Sequence, residues 1–127
     1  MAEAPVGLAE AGASLEITID AEDPERVAAF WTAALGYRHL YRRDPYVVCG
    51  PPPGVVGPRV VIQSVPGSPA PASRVHLDLR VPAPDATVAR LVALGATVEA
   101  EVEEGTRTWT VLRAPEGVAV CVCPARG

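Results

Sequence analysis

His76 and Asp78 stand two residues apart in SRVHLDLRV, residues 73–81, where apolar and polar side chains alternate. A period of two marks a half-buried strand, with Val75, Leu77, Leu79 and Val81 on one side and His76, Asp78 and Arg80 on the other. An imidazole can give or take a proton near neutral pH, and a neighbouring carboxylate can orient it. The plain alternative is a polar strand face turned to water. Cys121 and Cys123, in VAVCVCP, are also two apart and share a side. Buried thiols of this kind pack as small apolar groups. Nucleophilic chemistry at Cys121 would need a nearby positive charge to hold the thiolate. Trp109, in the alternating TRTWTVL, is placed to wall a pocket, whereas Trp31 belongs to an apolar helix face.

The elements that must position these residues come as an internal repeat. LEITIDAEDPERVAAFWTAALGY is matched about sixty residues later by VHLDLRVPAPDATVARLVALGAT. Each copy reads as a strand, an acid–proline pair, and a helix ending in Leu-Gly. Asp23 can cap the first helix, with Pro24 at its first position, where a missing N–H costs nothing. Val27, Phe30, Trp31 and Ala34 then fall on one helical face, and Val88, Leu91 and Val92 repeat that spacing. Gly36 and Gly95 stand where a left-handed residue ends a helix. Strand-like runs follow each helix: YRHLYR, YVVCG and PRVVIQSV, then TVEAEV, TRTWTVL and VAVCVCP. EVEEG, residues 101–105, reads as a solvated strand end and turn.

Each half is therefore β-α-β-β-β. The expected organisation is a small-residue arm over 1–13 and one domain over 14–127. Within that domain, module one spans 14–65, a stiff polar linker 66–73, and module two 74–124. Neither half buries enough surface alone, so the two are expected to pack together.

Composition narrows the partners. The 127 residues carry a net charge of −4 without a long basic run, which disfavours nucleic acid and acidic membrane surfaces. No segment has the apolar length to span a bilayer, and the N-terminus does not read as a signal peptide. Three cysteines without a secreted disulfide spacing favour the cytoplasm.

IDAEDPERVAAFWTAALGY, HLDLRV with ARLVALGA, and WTVLRAPEGVAVCV together resemble the vicinal oxygen chelate superfamily. This is the glyoxalase/bleomycin resistance/dioxygenase group, and the likeness is to its glyoxalase-like proteins of actinobacterial type. It spans residues 14–124. The resemblance implies an α+β fold of two pseudo-twofold-related βαβββ modules, forming a cupped mixed sheet with helices outside. It further implies a cavity and, in metal-using members, four inward ligand positions. Here these positions would be Glu16, Gln63, His76 and Cys121, with the repeat pairing Glu16 with His76 and Gln63 with Cys121.

That set departs from the usual histidines and glutamates. Gln63 is a weak metal ligand, and the two-histidine, one-carboxylate set of a non-haem iron dioxygenase is absent. The expectation is a metal-free small-molecule binder, with an apolar or aromatic ligand contacted by Glu16, Gln63, His76, Asp78, Trp109 and Cys121. The alternative is an isomerase or lyase in which His76, with or without a divalent metal, moves a proton next to a carbonyl. A dimeric scaffold with a vestigial cavity is the third class. Superfamily members commonly form homodimers, so a second copy of the chain is an expected partner.

Overall fold

The computed structural model describes residues 7, 8, 10, 12–67 and 74–125. Most of the expected arm, and the linker from residue 68 to 73, lie outside the described residues. In chain order the elements are β1 (Ser14–Ala21), α1 (Pro24–Leu35), β2 (Arg38–Arg43), β3 (Tyr46–Gly50) and β4 (Arg59–Ser64). They continue as β5 (Val75–Val81), α2 (Pro84–Ala93), β6 (Thr97–Glu104), β7 (Arg107–Arg113) and β8 (Ala119–Pro124). Hydrogen-bonded neighbours follow the order β2-β3-β4-β1-β5-β8-β7-β6 in one eight-stranded sheet. The fold class is the expected α+β arrangement of two βαβββ modules. Among the described residues no helix is long and apolar enough to cross a membrane.

The chain forms two compact units, Glu16–Leu77 and Asp78–Gly127 with the residues up to Leu15, so the division falls inside β1 and β5. In the first unit β1 runs parallel to β4, while β4–β3 and β3–β2 are antiparallel. Alternation decides which residues go under the helix. Ile19 pairs with Ile62 and Ile62 with Val47, and these side chains meet Ala28 of α1 with Ala21, Cys49 and Val60. Ile62 is fully buried at the centre of this cluster. Its burial stabilises the fold by about 2–3 kcal/mol relative to exposure.

Helix α1 starts as its sequence dictates. The Asp23 carboxylate accepts from the Arg26 backbone N–H at 3.2 Å, Pro24 occupies the first position, and Gly36 ends the helix at φ 70°. Its buried face differs from the expected one, because Phe30 and Ala34 are both exposed. Val27, Ala28 and Trp31 face the sheet, while Phe30 is 63% exposed and stands edge-on to Trp31 at 5.1 Å. A 100° step per residue lets only one of the two adjacent aromatics sit over the core.

In the second unit β6–β7 and β7–β8 are antiparallel. Val81, Leu112 and Val122 form its buried cluster, covered by Val88 and Leu91 of α2 with Leu79 and Ala96 beside them. Val92, placed on that face by spacing, is exposed. Pro84 opens α2, but Ala83 at the cap position offers its N-terminus no side-chain hydrogen bond. The segment APEG between β7 and β8 folds as a short 3-10 turn over Pro115–Gly117 with Glu116 and Gly117 at positive φ.

Candidate functional site

Helices cover one side of each unit's strands, so the opposite side collects the other half of every alternating strand. In the first unit this side carries Glu16, Thr18 and Asp20 of β1. The parallel register sets Glu16 opposite Arg59, Thr18 opposite Val61 and Asp20 opposite Gln63. The next ladder sets Gln63 opposite Tyr46 and Val61 opposite Val48. Two rows result, Asp20–Gln63–Tyr46 and Thr18–Val61–Val48. Glu16 is 2% exposed and Thr18 is equally buried, while Gln63 is half-buried. Glu16 and Gln63 thus share a face but lie four positions apart in register, about 13 Å along the strands.

In the second unit the helix-free side carries Asp78 and Arg80 of β5, Trp109, Val111 and Arg113 of β7, and Cys121 and Cys123 of β8. Val111 pairs with Cys121 and Trp109 with Val102. Cys121 and Cys123 are buried, and Asp78 and Trp109 are half-buried. The Cys121 thiol is pushed up to about 12, first by burial and then by the negative charge of Asp78, with a hydrogen bond to the same carboxylate. Arg113 pulls the other way by less, and its guanidinium is also bound to Glu99 at 3.3 Å. Burial and the charge of Asp78 both favour the thiol form of Cys121 at neutral pH, which disfavours nucleophilic chemistry there. His76, half-buried, precedes Asp78 by two residues on β5 and leaves that strand on the same side.

Among the described residues, those able to hold a metal ion are His76, Asp78 and Cys121. Imidazole nitrogen, carboxylate oxygen and thiolate sulfur would suit a borderline-soft divalent ion such as zinc. Such an ion would have to displace the thiol proton that burial and Asp78 retain. Glu16, one of the four positions given by resemblance, is outside this group.

The folded repeat also shifts one equivalence. Strands β4 and β8 begin at Arg59 and Ala119, sixty residues apart, which is the spacing from Glu16 to His76. On that spacing Cys121 corresponds to Val61, and Gln63 corresponds to Cys123. The pairing of Gln63 with Cys121 is therefore two residues out.

One concavity was missed from sequence, an open cleft of about 470 Å³ along the first half of α1. Phe30 and Trp31 supply apolar lining, and Arg26, Arg74, Glu22 and Asp23 line it with two charges of each sign. None of the residues proposed from sequence lines it. The signal available was two adjacent aromatics on a helix that can bury only one.

Comparison with known proteins agrees with the fold. Residues 16–123 match the glyoxalase-like domain. No curated protein matches the chain. Among solved structures, a glyoxalase/bleomycin resistance protein/dioxygenase superfamily member from Vibrio splendidus 12B01 is 17% identical, with a TM-score of 0.61 over 88% of this chain and 98% of its own. A protein from Bacillus halodurans C-125 is 13% identical, with a TM-score of 0.64 over 91% and 96%. A methylmalonyl-CoA epimerase of Streptomyces coelicolor is 15% identical, with a TM-score of 0.58 over 88% and 96%. At these identities the likeness is one of fold. The extent of the family match, nearly the whole of both modules, places this chain in the glyoxalase-like domain family.

Proposed function

We propose that this glyoxalase-like chain is a cytoplasmic, homodimeric small-molecule-binding protein that holds an apolar or aromatic ligand against the helix-free side of its strands without a metal. The observation that supports this reading is the state of Cys121. A thiol kept protonated by burial and by Asp78 is a poor metal ligand and a poor nucleophile, yet it packs well beside an apolar ring. Trp109 and Val111 on the same side supply apolar contact. His76 and Asp78 are the polar groups that would fix a ligand's orientation, the usual division of labour in such sites.

Two measurements test it. Elemental analysis of protein purified without chelator should find no stoichiometric zinc, nickel, manganese or iron. Titration with a panel of aromatic and apolar compounds should quench tryptophan emission, and Trp109→Phe should reduce that response while leaving the Trp31 signal. A stoichiometric metal lost in His76→Ala would overturn the reading.

A second reading has its own support. His76 and Asp78 leave β5 on one side, so a carboxylate stands ready to orient an imidazole that could move a proton next to a carbonyl. The epimerase of similar fold is a precedent in that protein alone. Turnover of a carbonyl compound that disappears in His76→Ala would favour this account over binding.

A further inference from the structure

The cleft along the first half of α1 is lined only by residues of the first unit, and none of them belongs to the ligand-binding set proposed above. Its volume of about 470 Å³ falls within the range of about 300–1,000 Å³ usual for small-molecule sites.

Local structure explains how it is built. Arg26 and Phe30 stand four residues apart on α1, so their side chains are neighbours on the helix surface. Trp31 lies one step round the helix, and its ring meets the Phe30 ring at 5.1 Å and 86°. A flat ring laid parallel to either aromatic is edge-on to the other, so one guest can gain a stacked and an edge contact together. Glu22, just after β1, and Arg74, just before β5, complete the charged lining. The bond from the Asp20 N–H to the Arg74 carbonyl, 2.7 Å, ties those two segments together.

Charge decides the class of guest. Of the four ionised side chains in the lining, three are already in use. The Asp23 carboxylate accepts from the Arg26 backbone N–H at 3.2 Å, and Glu22 and Arg74 each have interactions of their own. Among the described residues no ion pair engages the Arg26 guanidinium. An exposed guanidinium beside two aromatic rings offers a planar fork of donors to a carboxylate, next to a surface for a ring.

We propose that this cleft binds an aromatic carboxylate, with its ring against Phe30 and Trp31 and its carboxylate on Arg26. The site is distinct from the one on the helix-free side and does not rest on that reading.

Titration with hydrocinnamate, followed by nuclear magnetic resonance of isotope-labelled protein, tests it. In Trp109→Phe, Trp31 is the one remaining indole, and its N–H signal should shift saturably at pH 7. Arg26→Gln keeps a good helix former at that position and should weaken binding at least fivefold. Phe30→Ala should weaken it by a similar factor. The neutral hydrocinnamamide should bind the parent protein no better than hydrocinnamate binds Arg26→Gln, and phenylpropylammonium more weakly still. Absence of a saturable Trp31 shift overturns the proposal, as does equal affinity for the three probes. A preference for the ammonium also overturns it and gives the cleft to Glu22 and Asp23. Hydrocinnamate that moves only the Trp109 indole of the wild-type protein overturns this site and leaves the helix-free one standing.

Discussion

The thiol of Cys121 on β8 donates a hydrogen bond to the carboxylate of Asp78 on β5. Burial raises the cost of a thiolate at this position, and a carboxylate beside it raises that cost further. Cys121 is therefore held as a thiol through the physiological range.

Alkylation should report this directly. At pH 7.5 iodoacetamide should leave Cys121 unmodified in the folded protein, as read by peptide mass spectrometry. Asp78→Asn removes the opposing charge and should lower the thiol's pKa, so that more thiolate is present at any pH below it. Faster labelling of Cys121 in that variant at pH 9 is the expected result. An unchanged rate would mean that burial alone governs the thiol.

The raised pKa also sets a stability window. The folded-state pKa of Cys121, about 12, lies above the unfolded value of 9.0. The folded protein therefore retains a proton that the unfolded chain releases once pH passes 9. Stability is full below pH 9 and declines as pH rises towards 12. Burial also raises Cys49, and the charge of Glu25 adds to the effect, so it works in the same direction. Urea midpoints measured from pH 8 to pH 11 should fall, and Cys121→Ala should flatten the decline.

Much of this architecture can be read from the chain because period and punctuation agree. Asp23-Pro24 and Gly36 bracket α1, and the alternation of SRVHLDLRV separates the α2-facing Leu79 and Val81 from His76 and Asp78. What alternation cannot supply is register. A slip of two residues keeps every side chain on its face, so Val61 and Gln63 were interchangeable as partners of Cys121 until strand ends fixed the spacing. For the same reason Glu16 and Gln63 look like neighbours in a pattern while the ladder sets them four positions apart. The Cys121–Asp78 bond joins residues more than forty apart in the chain, and nothing local announces it.

Burial separates two large apolar residues that sequence alone would rank together. Ile62 is fully enclosed between strands and α1, so Ile62→Ala should cost about 2–5 kcal/mol through lost transfer energy and the cavity left behind. Phe30 keeps most of its surface in water and contributes an edge contact with Trp31. Phe30→Ala should therefore cost no more than about 1.5 kcal/mol. Thermal midpoints of the two variants, measured side by side, should differ by several degrees. A larger loss at Phe30 than at Ile62 would contradict the assignment of the α1 core face.

The two helices offer a paired test of capping, because the repeat kept the proline and changed the residue before it. Asp23 satisfies the Arg26 N–H, so Asp23→Ala should destabilise by about 1 kcal/mol. Ala83 holds the matching place before Pro84 with φ −129° and ψ 81°, close to the −119° and 87° of Asp23. The backbone there already has the geometry of a capped start and lacks only an acceptor. Ala83→Asp should therefore stabilise the protein by about 0.5–1 kcal/mol, since a side-chain oxygen would reach an unsatisfied N–H and oppose the helix dipole's positive end. Chemical denaturation at pH 7 would measure both changes, and at pH 3 the Ala83→Asp gain should shrink as the new carboxylate protonates.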